Sequence, residues 1–216
     1  MEEAQVKKLR LKKVRPKSRY ETFTDWAREV AEVITVPIGL FLSRLGLHPN
    51  TVTLLGTLLN IGVAVVLATG RLRLGGVLLA LIAPVDAVDG AMARAVGQKS
   101  RFGGFLDSTL DRICEAALML GLGVHYLRQG AATEVILLMV ALFGAVMVSY
   151  TRARAEAAGF SCKVGIMTRV ERIIVLAAGL ILGFPTVALW VLAVGNVATA
   201  IHRILHVYQQ ARLEGR

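Results

Sequence analysis

Asp86-Ala-Val-Asp-Gly-Ala-Met-Ala-Arg94 and, a short turn later, Gly103-Gly-Phe-Leu-Asp-Ser-Thr-Leu-Asp111 decide how this chain is read. They place four aspartates, Asp86, Asp89, Asp107 and Asp111, inside two strongly apolar segments. On insertion scales an acidic side chain at the centre of a membrane helix costs about 2.5–3.5 kcal/mol. One is tolerable; four within 26 positions call for a shared compensation. Divalent cations supply one, because their charge offsets the carboxylates and their coordination occupies the oxygens.

The spacing agrees. On helices, Asp86 and Asp89 share a face, and so do Asp107 and Asp111. Two such helices facing each other would build a four-carboxylate cage. Gly90 and Ala93 lie on or beside the first face and leave room for a ligand. Residues 97–104 are short, polar and basic, which reads as a tight turn at a membrane surface and puts the cage near one interface. The alternative is carboxylates that serve only as packing glue by pairing with Arg94 and Arg112. Packing alone does not require this spacing.

Composition bounds the rest. A 216-residue chain with 55% hydrophobic residues and a mean hydropathy of +0.61 is too apolar for a soluble domain. The expected fold is an all-α integral membrane protein, with six transmembrane helices preceded by an N-terminal amphipathic interfacial helix. Net charge is +10, and 10 of the 25 Lys and Arg residues precede position 49. Beside several spans, that tail reads as a cytoplasmic arm drawn to anionic membrane lipids, with no nucleic acid as partner. Cys114 and Cys162 have no metal-like spacing and imply no disulfide framework.

In order, the chain divides into a basic arm (1–22), an amphipathic juxtamembrane helix (23–47), a membrane domain (48–210) and a tail (211–216). In the second segment Trp26, Ala27, Val30, Ile34, Ile38, Phe41 and Leu45 recur at helical spacing. Pro49 opens the first span, which runs to Gly70. The second (about 74–96) carries two aspartates and the third (about 103–127) the other two. A fourth covers about 131–150, followed by a loop at 158–168. Residues 173–201 hold no formal charge, and 29 residues are too long for one ordinary span. Gly183-Phe-Pro185 should therefore turn the chain between spans five and six. Six spans return both termini to one side. The opposite loops hold only Arg71, Arg73 and Arg128, so the positive-inside rule places the termini and the motif turn in the cytoplasm, with the protein in the plasma membrane.

The pattern Asp86-x2-Asp89-Gly90-x2-Ala93-Arg94-x8-Gly103-x3-Asp107-x3-Asp111 resembles the signature of the CDP-alcohol phosphotransferase family at every fixed position. The resemblance implies transfer of a phospho-alcohol group from a CDP-linked donor to an acceptor alcohol, with release of CMP. It implies that Asp86, Asp89, Asp107 and Asp111 ligate two Mg²⁺ ions, with Mn²⁺ as a possible substitute. Asp111 would also be the catalytic general base, its proton affinity raised by low dielectric and neighbouring like charge. Gly90 and Arg94 match nucleotide-binding positions. Ser100, Asn50, Thr51, Val52 and Thr53 resemble further CDP-donor contacts, although helix capping explains their chemistry equally well. Homodimers are usual in this family.

The acceptor is read from charge and from local resemblance. Arg152, Arg154, Lys163, Arg169, Arg172 and Arg203 gather on the motif side, as expected for an acceptor that carries its own phosphate. For any single one of them, positive-inside flanking is the alternative. Residues 105–112, 149–156 and 169–172 resemble the subgroup whose acceptor is inositol 1-phosphate and whose donor is CDP-diacylglycerol or, in archaea, CDP-archaeol. Arg152, Arg154, Arg172 and Arg203 are then the acceptor-phosphate candidates. Glycerol 3-phosphate is the competing acceptor, giving phosphatidylglycerol phosphate, and a membrane ion transporter is the competing class. Glu115, one turn past Asp111, is expected to tune it or to pair with Arg112 or a neighbouring basic group. His202 and His206 lie one turn apart but lack an evident third metal ligand.

Overall fold

The computed structural model describes residues 37–39, 41–43, 46–85, 88, 90, 92 and 100–214. The arm at 1–22, most of the expected amphipathic helix, and Asp86, Asp89, Ala93 and Arg94 lie outside the described residues. Among the described residues six longer helices carry the fold: α1 (Pro49–Ala68), α2 (Leu72–Ile82), α3 (Arg101–Arg128), α4 (Ala132–Ala157), α5 (Arg169–Leu182) and α6 (Pro185–Glu214).

Local chemistry sets their ends. Pro49 begins α1, where its missing N–H costs nothing, behind the extended His48. Ser100 caps α3, its hydroxyl accepting the Gly103 N–H at 2.8 Å. At the start of α5 the Glu171 carboxylate accepts the Thr168 N–H at 3.0 Å. Gly183, at φ +83°, stops α5 in the left-handed conformation, and α6 begins two residues later at Pro185. The expected turn between the last two spans is therefore present.

One expectation needs correction. The segment expected to run unbroken over 74–96 begins at Leu72, and its regular helix ends at Ile82, followed by a turn at Ala83 and Pro84. Proline cannot donate to the carbonyl one turn back and crowds it. Val85, Val88, Gly90 and Met92 are again helical.

The six helices close into a ring in the order α1, α3, α4, α6, α5, α2 and back to α1, each packing mainly on its two neighbours. One core cluster draws from all six: Val63 and Leu67, Leu79, Leu118 to Tyr126, Leu137 to Ala141, Leu176 to Leu180, and Leu189 to Ala193. These positions are the C-terminal halves of α1, α3 and α5, the N-terminal halves of α4 and α6, and Leu79 of the short α2. The apolar plug thus fills the end of the ring remote from the motif. Leu55, Leu58, Phe143 and Trp190 point outward and are exposed, the pattern of a lipid-facing surface. Three helices, Pro49–Ala68, Ala132–Ala157 and Pro185–Leu213, are long and apolar enough to cross a membrane. α3 has the length, with 28 residues, but charges in its first half reduce its hydropathy. α2 and α5, with 11 and 14 residues, are shorter than an ordinary span.

The arginines at the remote end have a local use. Arg128 Nη1 donates to Ala68 O at 3.3 Å, at the end of α1. The Arg73 guanidinium lies over Gly183, at the end of α5. Both sit where the helix dipole favours a cation.

Close contact between α1 and α3 depends on Gly121. A Cβ there would stand 2.2 Å from the Ala64 carbonyl oxygen, so one backbone would have to move. Gly123, on the same helix, faces open space. Gly121→Val is expected to lower the melting transition in detergent by about 1–3 kcal/mol of stability through overpacking. Gly123→Val should leave it within about 0.5 kcal/mol. Equal transitions for the two variants would refute this account of the α1–α3 contact.

Candidate active site

At the motif end, the starts of α1 and α3 press together. A Cβ on Gly103 would lie 3.0 Å from Ser100 Oγ and 3.2 Å from Asn50 Oδ1, so the motif glycine allows the approach. Val52 is buried with Val88 and Met92, and Leu42, Leu47 and Val85 pack around them. Gly39 lies against Met92. The apolar side of the 85–92 segment is thereby fixed to α1. Of the donor-contact candidates, Ser100 acts as the α3 cap and Val52 packs in this cluster. The Thr53 hydroxyl donates to Pro49 O at 3.1 Å, Thr51 is exposed, and Gly90 is helical and half-buried.

Asp107 and Asp111 lie one turn apart on α3, both half-buried. Asp111 Oδ1 is 2.5 Å from Arg169 Nη1, and Oδ2 is 3.4 Å from Arg112 Nη2. The charges of Arg169 and Arg112 also act on Asp107. Among the described residues, Asp111 thus has the like charge of Asp107 one turn away and the guanidinium groups of Arg169 and Arg112 beside it. Arg112 also donates from Nη1 to Ser149 Oγ at 2.6 Å and so joins α3 to α4.

One turn further, Glu115 takes Arg172 in a two-pronged pair, at 2.5 Å from Nε and 3.0 Å from Nη2. Arg172 Nη1 donates to Met167 O at 3.1 Å, and the residue is only 3% exposed. The basic partner expected for Glu115 is thus Arg172, on α5. These pairs bridge helices that are not ring neighbours, so long charged side chains cross the interior that leucines fill at the other end.

Arg203 is buried on α6. Its Nε donates to Val164 O at 2.8 Å and its Nη1 to Val148 O. The 158–168 loop is strapped to α6 around it. Thr199 Oγ1 accepts the Met167 N–H at 3.1 Å, and Gln210 bonds both backbone groups of Ser161. Gly165, at φ +127°, lies against Thr199 where a Cβ would collide. Arg203 bonds Val148, one turn before Arg152 on α4, and Val164, in the same loop as the Met167 carbonyl that Arg172 bonds. Three of the four acceptor candidates therefore share one region. Arg154 is exposed on α4, and Arg152 pairs with Glu156 at 2.8 Å.

Two participants went unassigned in the sequence reading, Arg169 as a partner of Asp111 and Glu115 as the holder of Arg172. The signal was available: acids four apart on one helix match bases three apart on another. Among the described residues no group of three or more His, Cys, Asp or Glu could hold a metal ion, His202 and His206 included. Asp107 and Asp111 are two of the four expected ligands, and their carboxylate oxygens suit hard divalent cations. Asp86 and Asp89 lie outside the described residues, as does Arg94.

Residues 46–202 match the CDP-alcohol phosphatidyltransferase family. The chain belongs to that family. It is an enzyme, a transferase, and the transporter expectation is set aside. The chain is 38% identical to a phosphatidylinositol phosphate synthase from Mycobacteroides abscessus over 188 residues, 82% of this chain and 85% of the relative. It is 38% identical to the archaetidylinositol phosphate synthase of Methanothermobacter thermautotrophicus over 198 residues, 89% and 97% of the two chains. Its fold is similar to the crystal structure of Mycobacterium tuberculosis phosphatidylinositol phosphate synthase with CDP-DAG bound, with a TM-score of 0.75, 34% identity, and coverage of 81% and 94%. The same relative in complex with manganese and citrate gives a TM-score of 0.76 at 34% identity, over 81% and 88%.

A buried pair broken on one side leaves an uncompensated charge. Glu115→Ala should therefore destabilise the transferase by about 3–5 kcal/mol, read as loss of the folded fraction in a detergent melt. Glu115→Leu combined with Arg172→Met should recover most of that loss. A wild-type melt for the single variant would show that the pair contributes nothing.

Proposed function

We propose that this enzyme transfers the phosphatidyl group of CDP-diacylglycerol, or the archaetidyl group of CDP-archaeol, to the hydroxyl of inositol 1-phosphate and releases CMP. The observation that carries the reading is the Asp107–Asp111 pair on α3, set at the same end of the ring as the buried guanidinium groups of Arg172 and Arg203. The two relatives named for synthesis of phosphatidylinositol phosphate and archaetidylinositol phosphate support this acceptor over glycerol 3-phosphate.

In the proposed reaction the acceptor oxygen bonds to the phosphorus that carries the lipid. The bond from that phosphorus to the bridging oxygen breaks, and CMP leaves with that oxygen. Asp111, as general base, takes the hydroxyl proton. Asp86, Asp89, Asp107 and Asp111 would hold two Mg²⁺ ions, with Mn²⁺ as a substitute; the relative crystallised with manganese supports divalent-ion dependence. When bound, such ions supply positive charge that offsets the pyrophosphate and the departing CMP.

The chain's own groups provide the positioning. Gly90 allows close approach of the nucleotide, and Arg94 contacts its phosphate or ribose. Ser100 and residues 50–53 (Asn50, Thr51, Val52, Thr53) complete the donor side where α1 meets α3. Arg152, Arg154, Arg172 and Arg203 hold the acceptor's phosphate through charge-assisted hydrogen bonds. Arg172 and Arg203 are oriented beforehand by their carboxylate and carbonyl partners. Arg169 holds the Asp111 carboxylate in place. In this reading the chain crosses the plasma membrane six times, the amphipathic segment lies along its inner surface, and the site and both termini face the cytoplasm. The enzyme works as a homodimer.

Purified protein should release CMP from CDP-diacylglycerol only when inositol 1-phosphate is added. Chelation should abolish the release and Mg²⁺ restore it. Asp111→Asn should lower kcat by about 10²–10⁴-fold, the range for loss of a general base. Turnover with glycerol 3-phosphate and none with inositol 1-phosphate would overturn the acceptor assignment.

A further inference from the structure

We infer that Glu115 is a positioning residue for the acceptor site, acting through Arg172. The inference rests on the proposed acceptor reading and concerns a group that neither binds metal nor touches substrate in that reading.

The argument begins with counting donors. A guanidinium has five N–H groups. In Arg172 one from Nε and one from Nη2 go to Glu115, and one from Nη1 goes to Met167 O. One N–H on each terminal nitrogen remains, enough for a two-pronged hold on a phosphate. Glu115 therefore fixes the guanidinium plane and leaves its free donors in one orientation. At 13% and 3% side-chain exposure, Glu115 and Arg172 have little water to replace the pair.

Register gives a second reason. Asp111 and Glu115 lie one turn apart on α3, and Arg169 and Arg172 one turn apart on α5. The pairs form two rungs, Asp111 with Arg169 and Glu115 with Arg172. Without the Glu115 charge, the nearest carboxylate of the other rung is Asp111. Arg172 would then be drawn toward the base, away from Met167 and the loop that Arg203 also bonds, where the acceptor's phosphate is to be held. Glu115 separates the base from the acceptor cluster.

The test compares Glu115→Gln, which keeps the volume but not the charge, with wild type. The KM for inositol 1-phosphate should rise about tenfold or more, because sub-ångström misplacement of a binding group is costly. The KM for CDP-diacylglycerol should stay within about twofold. In chelator, without turnover, the thermal shift produced by inositol 1-phosphate should be lost. Arg172→Lys should raise the acceptor KM by itself, and adding Glu115→Gln to it should raise it no further. Additive effects, equal rises in both KM values, or a lower melting point with both KM values unchanged would each reduce Glu115 to a structural residue and overturn the inference. Wild-type protein that ignores inositol 1-phosphate would instead refute the proposed function.

Discussion

Charge taken out of water at the end of an apolar bundle has to be matched by charge, and the α3–α5 ladder is how this ring does it. Asp111 meets Arg169 and Glu115 meets Arg172 across the interior, between helices that are not packed as neighbours. A leucine layer could close that gap and stabilise the fold at least as well, because a buried ion pair seldom outperforms good apolar packing. That solution is used at the other end, where Leu67, Leu79, Leu122, Leu180, Leu189 and Leu192 meet. The motif end is polar by contrast, and its described buried charges are met by carboxylates or by backbone carbonyls.

The two ends are therefore built on different physics. Remote from the motif, glycine and alanine bring backbones close and the plug excludes water. Gly121 against Ala64 and Gly144 against Asn196 set the two most extensive helix contacts of the ring. Toward the motif, backbone groups are used as ligands for side chains. Arg203 holds the carbonyls of Val148 and Val164, Arg172 that of Met167, and Thr199 the N–H of Met167. The rigid end gives these hydrogen bonds a fixed frame, so the polar end needs few apolar contacts of its own.

What could be read in advance follows from this division. Helix boundaries written by local chemistry were legible: Pro49 after His48, Ser100 before α3, and the Gly183–Pro185 turn all stand where the sequence put them. The break at Pro84 was missed because the apolar pattern continues across it, although the ring of a proline alone is reason to interrupt a helix. The motif aspartates were legible as a spacing, and Asp107 and Asp111 do share a helix face. Which base meets which acid was not, because Glu115 and Arg172 are 57 residues apart and only the closed ring brings them together. Arg128 and Arg73 looked like interfacial flanks; their place at helix C-termini emerges only once α1 and α5 end beside them.

The choice of arginine at 172 and 203 follows from the same constraint. A lysine ammonium is a point charge on a flexible stem, whereas a guanidinium offers donors fixed in one plane. Arg203 gives two N–H groups to backbone carbonyls on α4 and the following loop, and its remaining donors are then fixed by geometry. Arg172 is oriented likewise by a carboxylate and a carbonyl. The entropy of ordering both side chains is spent on folding, so under the proposed function a phosphate entering the cluster would meet donors already aimed. The same argument separates these residues from Arg152 and Arg154, which are exposed on α4, with Arg152 paired to Glu156 one turn on.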